Sequence, residues 1–241
     1  MRARASSFGS VAGIYDRVRP PYPDEAIDWL LPRAARRVLD LGAGTGKLTR
    51  RLRQRGLEVT AVEPSGGMRE ELARALPEVT LLEGSAEAIP LPDHEIDAVL
   101  VAQAWHWVDP VRAVPEVARV LHPGGRLGLV WNVRDERVDW LAQLGRIMYP
   151  HGNPEQGGPS PAVGAPFGPL DRHQVEWSYP LHPEALLDLV ASRSYVITLA
   201  EPDRHALLAE VRRLIDTHPA LAGADEVGIP YVTHCFRADL T

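Results

Sequence analysis

Residues 38–50 read VLDLGAGTGKLTR. A short β-branched and leucine-rich run carries one acid, Asp40, and then meets glycines at 42, 44 and 46. Glycine weakens helix and strand interiors alike, so this density marks a turn that needs unusual dihedrals or a close approach to the backbone. Leu48 and Leu52 then fall one helical turn apart, and Gly56 supplies a stop. The stretch therefore reads as strand, glycine loop and helix.

Outward from it the same alternation continues. LEVTAVE (57–63), EVTLLEG (78–84), HEIDAVLVAQ (94–103) and GRLGLVWN (125–132) read as strands. GGMREELARALP (66–77) and PVRAVPEVARVLHPG (110–124) read as helices, the first stopped by Pro77 and the second interrupted by Pro115. Further strands are expected near HQVEWSYPL (173–181) and GIPYVTHCFRA (228–238), and helices over 183–194 and 201–218. Strands alternating with helices across short turns imply βαβ units, hence an α/β fold with a mostly parallel sheet and helices on both faces. Ligands in such sheets sit beyond the carboxyl ends of the strands, so the informative residues are those that follow each strand.

Two regions stand outside this pattern. Residues 1–35, with Phe8, Tyr15, Tyr22 and a proline-rich turn, read as an N-terminal helical lid. Residues 150–170 are rich in proline and glycine and read as a long irregular loop on the substrate side. The expected organisation is a lid (1–35), a ligand-binding core (36–135) and a C-terminal part (136–241) that completes the sheet.

Composition narrows the partners. The 241 residues carry a formal charge of −6 with acids and bases interleaved, which gives no basic footprint for nucleic acid. A single cysteine, Cys235, excludes an internal disulfide and a cysteine-rich metal site, and the nine histidines are scattered, with no HExxH spacing. No apolar run reaches membrane-spanning length and the N-terminus lacks a signal-peptide core, so a cytoplasmic protein is expected.

Three ligand classes use glycines after a first strand. A phosphate-binding P-loop requires glycine at 41 and Ser or Thr at 48, and both positions are leucine. A dinucleotide loop wants a small residue where Lys47 stands. The third class fits: Asp40 before the loop suits a cationic end of a ligand, the loop amides suit a carboxylate, and Glu63, closing the second strand, suits the two hydroxyls of a ribose. Those features describe an amino acid joined to a nucleoside without phosphate, S-adenosyl-L-methionine.

VLDLGAGTGKLT, VTAVEPSGGM, LLEGSAEAIPLPDHEIDAVLVAQAWHW and RVLHPGGRLGLVWN occur in this order over residues 36–132. Together they resemble the successive motifs of class I S-adenosylmethionine-dependent methyltransferases, in particular the small-molecule branch known as methyltransferase type 11. The resemblance implies a Rossmann-like seven-stranded sheet whose last strand is antiparallel. It also implies methyl transfer by in-line displacement to a small-molecule acceptor, with S-adenosyl-L-homocysteine as product. Carried onto this chain, Asp40, Gly42, Ala43 and Gly44 would contact the methionine end, and Glu63 the ribose. Pro64 and Met68 would lie near the adenine, Ser85, Ala86 and Glu87 along its edge, and Gln103 would face the sulfonium.

The QAWHW stretch places His106 between Trp105 and Trp107 at the catalytic end of the sheet. His106 has the right chemistry for a base or an acceptor-orienting group, while local hydrogen bonding explains it as readily. Tyr15, Arg19 and Tyr22 in the lid, with Trp105, Trp107, Asn132 and Tyr195, are the candidate substrate-side residues. Asp97, at the start of the fourth strand, reads as structural, and the arginines at 50, 51, 53 and 55 as a solvated helix face. Two alternatives stay open at this stage: a non-catalytic S-adenosylmethionine-binding regulatory protein, and a nicotinamide oxidoreductase.

Overall fold

The computed structural model describes residues 19–151 and 158–241. Seven strands form one sheet: β1 (Arg37–Leu41), β2 (Glu58–Val62), β3 (Thr80–Leu82), β4 (Ile96–Ala102), β5 (Leu121–Arg134), β6 (Asp171–Leu181) and β7 (Val227–Asp239). Their order is β3-β2-β1-β4-β5-β7-β6. The first five are mutually parallel. β7 is antiparallel to β5, because Asp135 N donates to Pro230 O near one end and Leu240 N to Gly125 O near the other. β6 is antiparallel to β7, with Trp177 against Tyr231 and Gln174 against His234. One strand therefore runs against the rest, as the resemblance implied. The order reverses between β1 and β4, so the crevice for a ligand opens after those two strands.

The helices among the described residues are α1 (Asp24–Leu30), α2 (Lys47–Arg53), α3 (Gly66–Ala75), α4 (Pro110–Val120), α5 (Asp139–Met148), α6 (Ala185–Ala191), α7 (Ser194–Ile197) and α8 (Glu201–Thr217). The chain divides into two compact units. Among the described residues, one comprises 19–20, 133–151, 158 and 176–232, and the other 21–132, 159–175 and 233–241.

In the second unit, α1 contributes to the core. Ala26, Ile27 and Leu30 are fully buried in one cluster with Val38 of β1, Leu48 and Leu52 of α2, and Leu100 of β4. Burial of Ile27 and Leu30 alone contributes about 3–6 kcal/mol. Tyr22 belongs to the same cluster. The arginines of α2 and the turn after it do not form a merely solvated face: Arg51 and Arg55 reach Asp24, at 2.6 and 2.5 Å, and Arg55 reaches Asp28 at 2.8 Å, so they tie this end of α2 to α1.

Pro115 does not interrupt α4, which runs unbroken from 110 to 120. Only the bond to Val111 O is lost, and Val111 is 81% exposed, so water can serve that carbonyl. The helix starts cleanly because the Asp109 side chain accepts from Val111 N at 3.0 Å. β5 starts earlier than its sequence suggests. Leu121 pairs with Ile96 and Arg126 with Ala98, so 122–125 bulge out of the ladder.

In the other unit, Trp140, Leu141, Leu144 and Met148 of α5 pack with Leu186, Leu189 and Val190 of α6 and Val211, Leu214 and Ile215 of α8. Residues 158–170 are irregular apart from a bridge between Phe167 and Leu240. No helix among the described residues is long and apolar enough to cross a membrane, and no cluster of metal-ligating side chains occurs among them.

Candidate active site

β1 delivers Asp40 to the crevice fully buried. Its Oδ2 accepts the Thr49 hydroxyl at 2.6 Å, while Oδ1 is buried and accepts no hydrogen bond. Burial pushes the Asp40 carboxyl up from 3.8 to about 7. The bonds from Thr49 oppose that rise and the nearby Glu63 charge adds to it.

The loop that follows uses its glycines differently. Gly42, Gly44 and Gly46 all have positive φ, at 74°, 57° and 89°. A Cβ on Gly42 would meet Ala104 Cβ at 3.0 Å, and one on Gly46 would meet Leu72 Cγ at 3.0 Å. These two serve internal packing. A Cβ on Gly44 would meet nothing within 4 Å, so it would project into open space.

Glu63, 7% exposed, closes β2 and locks this loop. Its Oε2 accepts from Gly44 N at 2.9 Å and its Oε1 from Ser65 N at 2.8 Å. Burial raises its pKa; the two amide bonds and the Arg69 charge hold it back. Each carboxylate oxygen keeps a second lone pair for a ligand. Pro64 beside it is exposed, and Met68 is buried on α3.

The turn after β3 carries Ser85, Ala86 and Glu87. Ser85 and Ala88 pair across it, and Ala86 is buried. Glu87 Oε1 accepts from Asp109 N at 2.9 Å, so this carboxylate braces the start of α4. Burial works against its ionisation, but that bond and one from Ser85 hold its pKa below the ordinary value.

β4 is followed by Gln103, whose φ is +56°. Such a dihedral is uncommon for a side-chain-bearing residue and marks a constrained position. Its backbone N donates to Val130 O at 2.9 Å and its amide Nε2 to Asn132 O at 3.1 Å, which turns the chain into the 3-10 segment Trp105–Trp107. Trp105 is buried and donates from Nε1 to Ala162 O at 3.1 Å. Trp107 is 44% exposed and lies tilted against the exposed His106. Trp131 Nε1 stands 3.4 Å from His106 Nδ1. An indole only donates, so Nδ1 accepts and the neutral ring carries its proton on Nε2. This tautomer makes Nε2 a donor.

The remaining candidates are placed elsewhere. Asn132, 4% exposed, is engaged within the fold: Nδ2 donates to Pro21 O at 2.9 Å and Oδ1 accepts the Thr233 hydroxyl at 2.7 Å. Its amide joins β5, β7 and the segment before α1. Asn132→Ala is expected to cost about 2–3 kcal/mol, read from urea unfolding, because the buried Thr233 hydroxyl and the half-buried Pro21 carbonyl each lose this bond. Tyr22 packs in the core cluster. In the other unit, Arg19 donates to the Ser192 hydroxyl and carbonyl, each at 3.1 Å, and the Tyr195 ring lies tilted against that of Tyr149 with centroids 5.1 Å apart. Tyr15 lies outside the described residues. Asp97 is structural as expected, since its Oδ2 accepts from the backbone N of Arg36 and Arg37. The link from Glu63 to the Gly44 amide was missed in the sequence, where the two sit 19 residues apart without a shared motif.

Comparison with known proteins gives one answer. Residues 39–129 match the family model described as a methyltransferase domain. An uncharacterized methyltransferase from Mycobacterium tuberculosis is 59% identical over 99% of this chain and 98% of its own length. An uncharacterized methyltransferase-like protein of Schizosaccharomyces pombe is 34% identical over 97% and 95%. A solved structure from Anaeromyxobacter dehalogenans, assigned to the type II methyltransferases, is 25% identical, covers 92% of this chain and 97% of its own, and superposes with a TM-score of 0.63. With relatives of that kind matching along its whole length and a sheet of this strand order, the chain belongs to the class I S-adenosylmethionine-dependent methyltransferases.

Proposed function

We propose that this chain moves a methyl group from S-adenosyl-L-methionine to a small-molecule acceptor, with S-adenosyl-L-homocysteine as the second product. The observation that carries the reading is the cradle at the end of β1: open space over Gly44, with the buried Asp40 carboxylate, its Oδ1 without a hydrogen bond, at the strand end before it. An unsatisfied buried carboxylate oxygen is costly by itself and favours a cationic partner nearby. The residues present thus fit a ligand with an ammonium and a sulfonium. When bound, S-adenosyl-L-methionine supplies an electrophilic methyl group on that sulfonium.

Asp40, Gly42, Ala43 and Gly44 hold the methionine end in this reading. Glu63 takes the ribose hydroxyls, and Pro64, Met68 and the 85–87 turn bound the adenine. Gln103 sets the direction of the segment after β4 through its positive φ and its bond to Asn132 O. Displacement at a methyl group needs the attacking atom held in line and water kept out, and position supplies most of the gain. Trp105 and Trp107 furnish apolar walls beside His106, and three residues further on a groove of about 390 Å³ opens between Pro110, Val111 and Val114 and the 162–165 segment. Such walls suit an acceptor with an apolar portion.

His106 acts here as an orienting donor through Nε2, since Trp131 occupies Nδ1. With turnover followed as S-adenosyl-L-homocysteine release against metabolite pools, His106→Ala is expected to lose about 100-fold while His106→Gln, a donor without basicity, stays within about tenfold. Equal collapse of both variants would make His106 a base instead. The function itself is tested by calorimetry with S-adenosyl-L-homocysteine: a saturable single-site isotherm is expected, and no heat or thermal stabilisation would overturn the reading.

A further inference from the structure

The 84–93 segment has no helix or ladder of its own beyond the Ser85–Ala88 bridge. It is held from outside by one arginine and one glutamate of α4. Arg119 Nη2 donates to Ile89 O at 2.9 Å, and its Nη1 donates to Leu91 O at 2.7 Å and Asp93 Oδ1 at 2.8 Å. Glu116 receives the same guanidinium in a fork, from Nε and Nη2, both at 2.8 Å. Glu116 Oε2 also accepts from Ile89 N at 2.9 Å, so both backbone groups of Ile89 are taken by this pair.

At the other end Glu87 is fastened to the first turn of the same helix through Asp109 N. Between these fixings the turn closes tightly: a Cβ on Gly84 would meet Pro90 Cδ at 2.7 Å. A surface ion pair alone contributes little. This pair is different in that a planar guanidinium spans two carbonyls and two carboxylates, which fixes geometry more than it adds energy.

We propose that Arg119 and Glu116 are positioning residues for the nucleoside half of S-adenosyl-L-methionine, acting through the Ser85–Glu87 turn without touching the ligand. This rests on the reading that Ser85–Glu87 border the adenosine. α4 begins just past the Trp105–Trp107 segment, so the same rigid element that steadies the adenosine turn also carries on from the acceptor side.

The test is calorimetry on the full chain with S-adenosyl-L-homocysteine and with 5′-methylthioadenosine, which has the nucleoside but no amino-acid end. Arg119→Met keeps the aliphatic stem and loses every polar bond. It is expected to weaken both ligands by the same factor, roughly tenfold, the worth of about one misplaced hydrogen bond. Arg119→Lys, able to serve one or two acceptors, falls in between. Arg126→Met is the control: it breaks the equally forked Arg126–Asp239 pair, at 2.6 and 3.1 Å, and leaves both affinities unchanged.

Arg119→Met binding within twofold of the unaltered chain overturns the proposal while the functional reading stands. So does a loss seen with S-adenosyl-L-homocysteine only, or an equal loss in Arg126→Met, which would make the effect general loosening. Failure of the unaltered chain to bind either ligand removes the functional reading, and this proposal falls with it.

Discussion

Asp40→Asn raises stability above neutral pH and at the same time weakens cofactor binding. The sign follows from the direction of the shift. Below 3.8 the carboxyl is protonated in both folded and unfolded chains and costs nothing. Between 3.8 and about 7 the folded chain holds the proton that the unfolded chain has released, so stability falls as pH rises. Above about 7 the full cost is present, on the order of 4 kcal/mol at 1.4 kcal/mol per unit. Asparagine removes the charge and keeps an acceptor for the Thr49 hydroxyl, so the variant unfolds at higher urea concentration at pH 8 and gains nothing at pH 4. Ligand binding shows the other side. A cation at the loop favours ionised Asp40, so affinity for S-adenosyl-L-homocysteine rises between pH 6 and 8 and binding releases protons near pH 7. Both signatures disappear in Asp40→Asn, whose affinity at pH 8 is lower by about tenfold or more. Titrations in two buffers of different ionisation heat measure the proton release. A flat affinity from pH 6 to 8 in the unaltered chain would show that Asp40 does not titrate with the ligand.

What the sequence shows of this fold is what local forces decide. Every strand was visible because apolar runs of the right length are bounded by glycine, proline or charged residues, and the parallel order of β1, β2, β3, β4 and β5 followed from the helices or turns between them. The glycine loop was legible because positive φ is a local demand, met at 42, 44 and 46. α5 was missed although Trp140, Leu144 and Met148 stand at helical spacing. Gly145 diluted the pattern, and its reason is tertiary: a Cβ there would strike Glu136 Oε1 at 2.6 Å. The contacts of Asn132 and Tyr22 are not legible locally: nearness to a strand end or to the N-terminus says nothing of Pro21, Thr233 and the α1 core, which decide what those side chains touch. Pro115 was judged a break because the loss of one hydrogen bond is local, but exposure lets water replace it.

Glu63→Ala should cost more than the ribose contacts it was assigned for. The carboxylate holds Gly44 N and Ser65 N at 2.9 and 2.8 Å, so it shapes the loop before any ligand arrives. Alanine leaves both amides without their acceptor and frees the Gly44 end of the loop. The expected loss in affinity for S-adenosyl-L-homocysteine is about 2–4 kcal/mol, part from the ligand hydroxyls and part from the loop. Two comparisons separate the parts. Glu63→Gln retains one oxygen but turns an NH2 group toward either Gly44 N or Ser65 N, donor against donor, so it recovers only a fraction of the affinity. A 2′-deoxy analogue of S-adenosyl-L-homocysteine lacks one ribose hydroxyl but leaves the loop untouched. It should lose affinity on the unaltered chain and lose nothing further relative to the parent ligand on Glu63→Ala. Amide hydrogen exchange at 42–46 supplies the second reading: exchange accelerates in Glu63→Ala without ligand, while the β4 amides keep their protection. If the alanine variant binds both ligands as tightly as the unaltered chain, Glu63 holds neither the ribose nor the loop, and the buried pair of amide bonds seen at its carboxylate has no bearing on the cofactor.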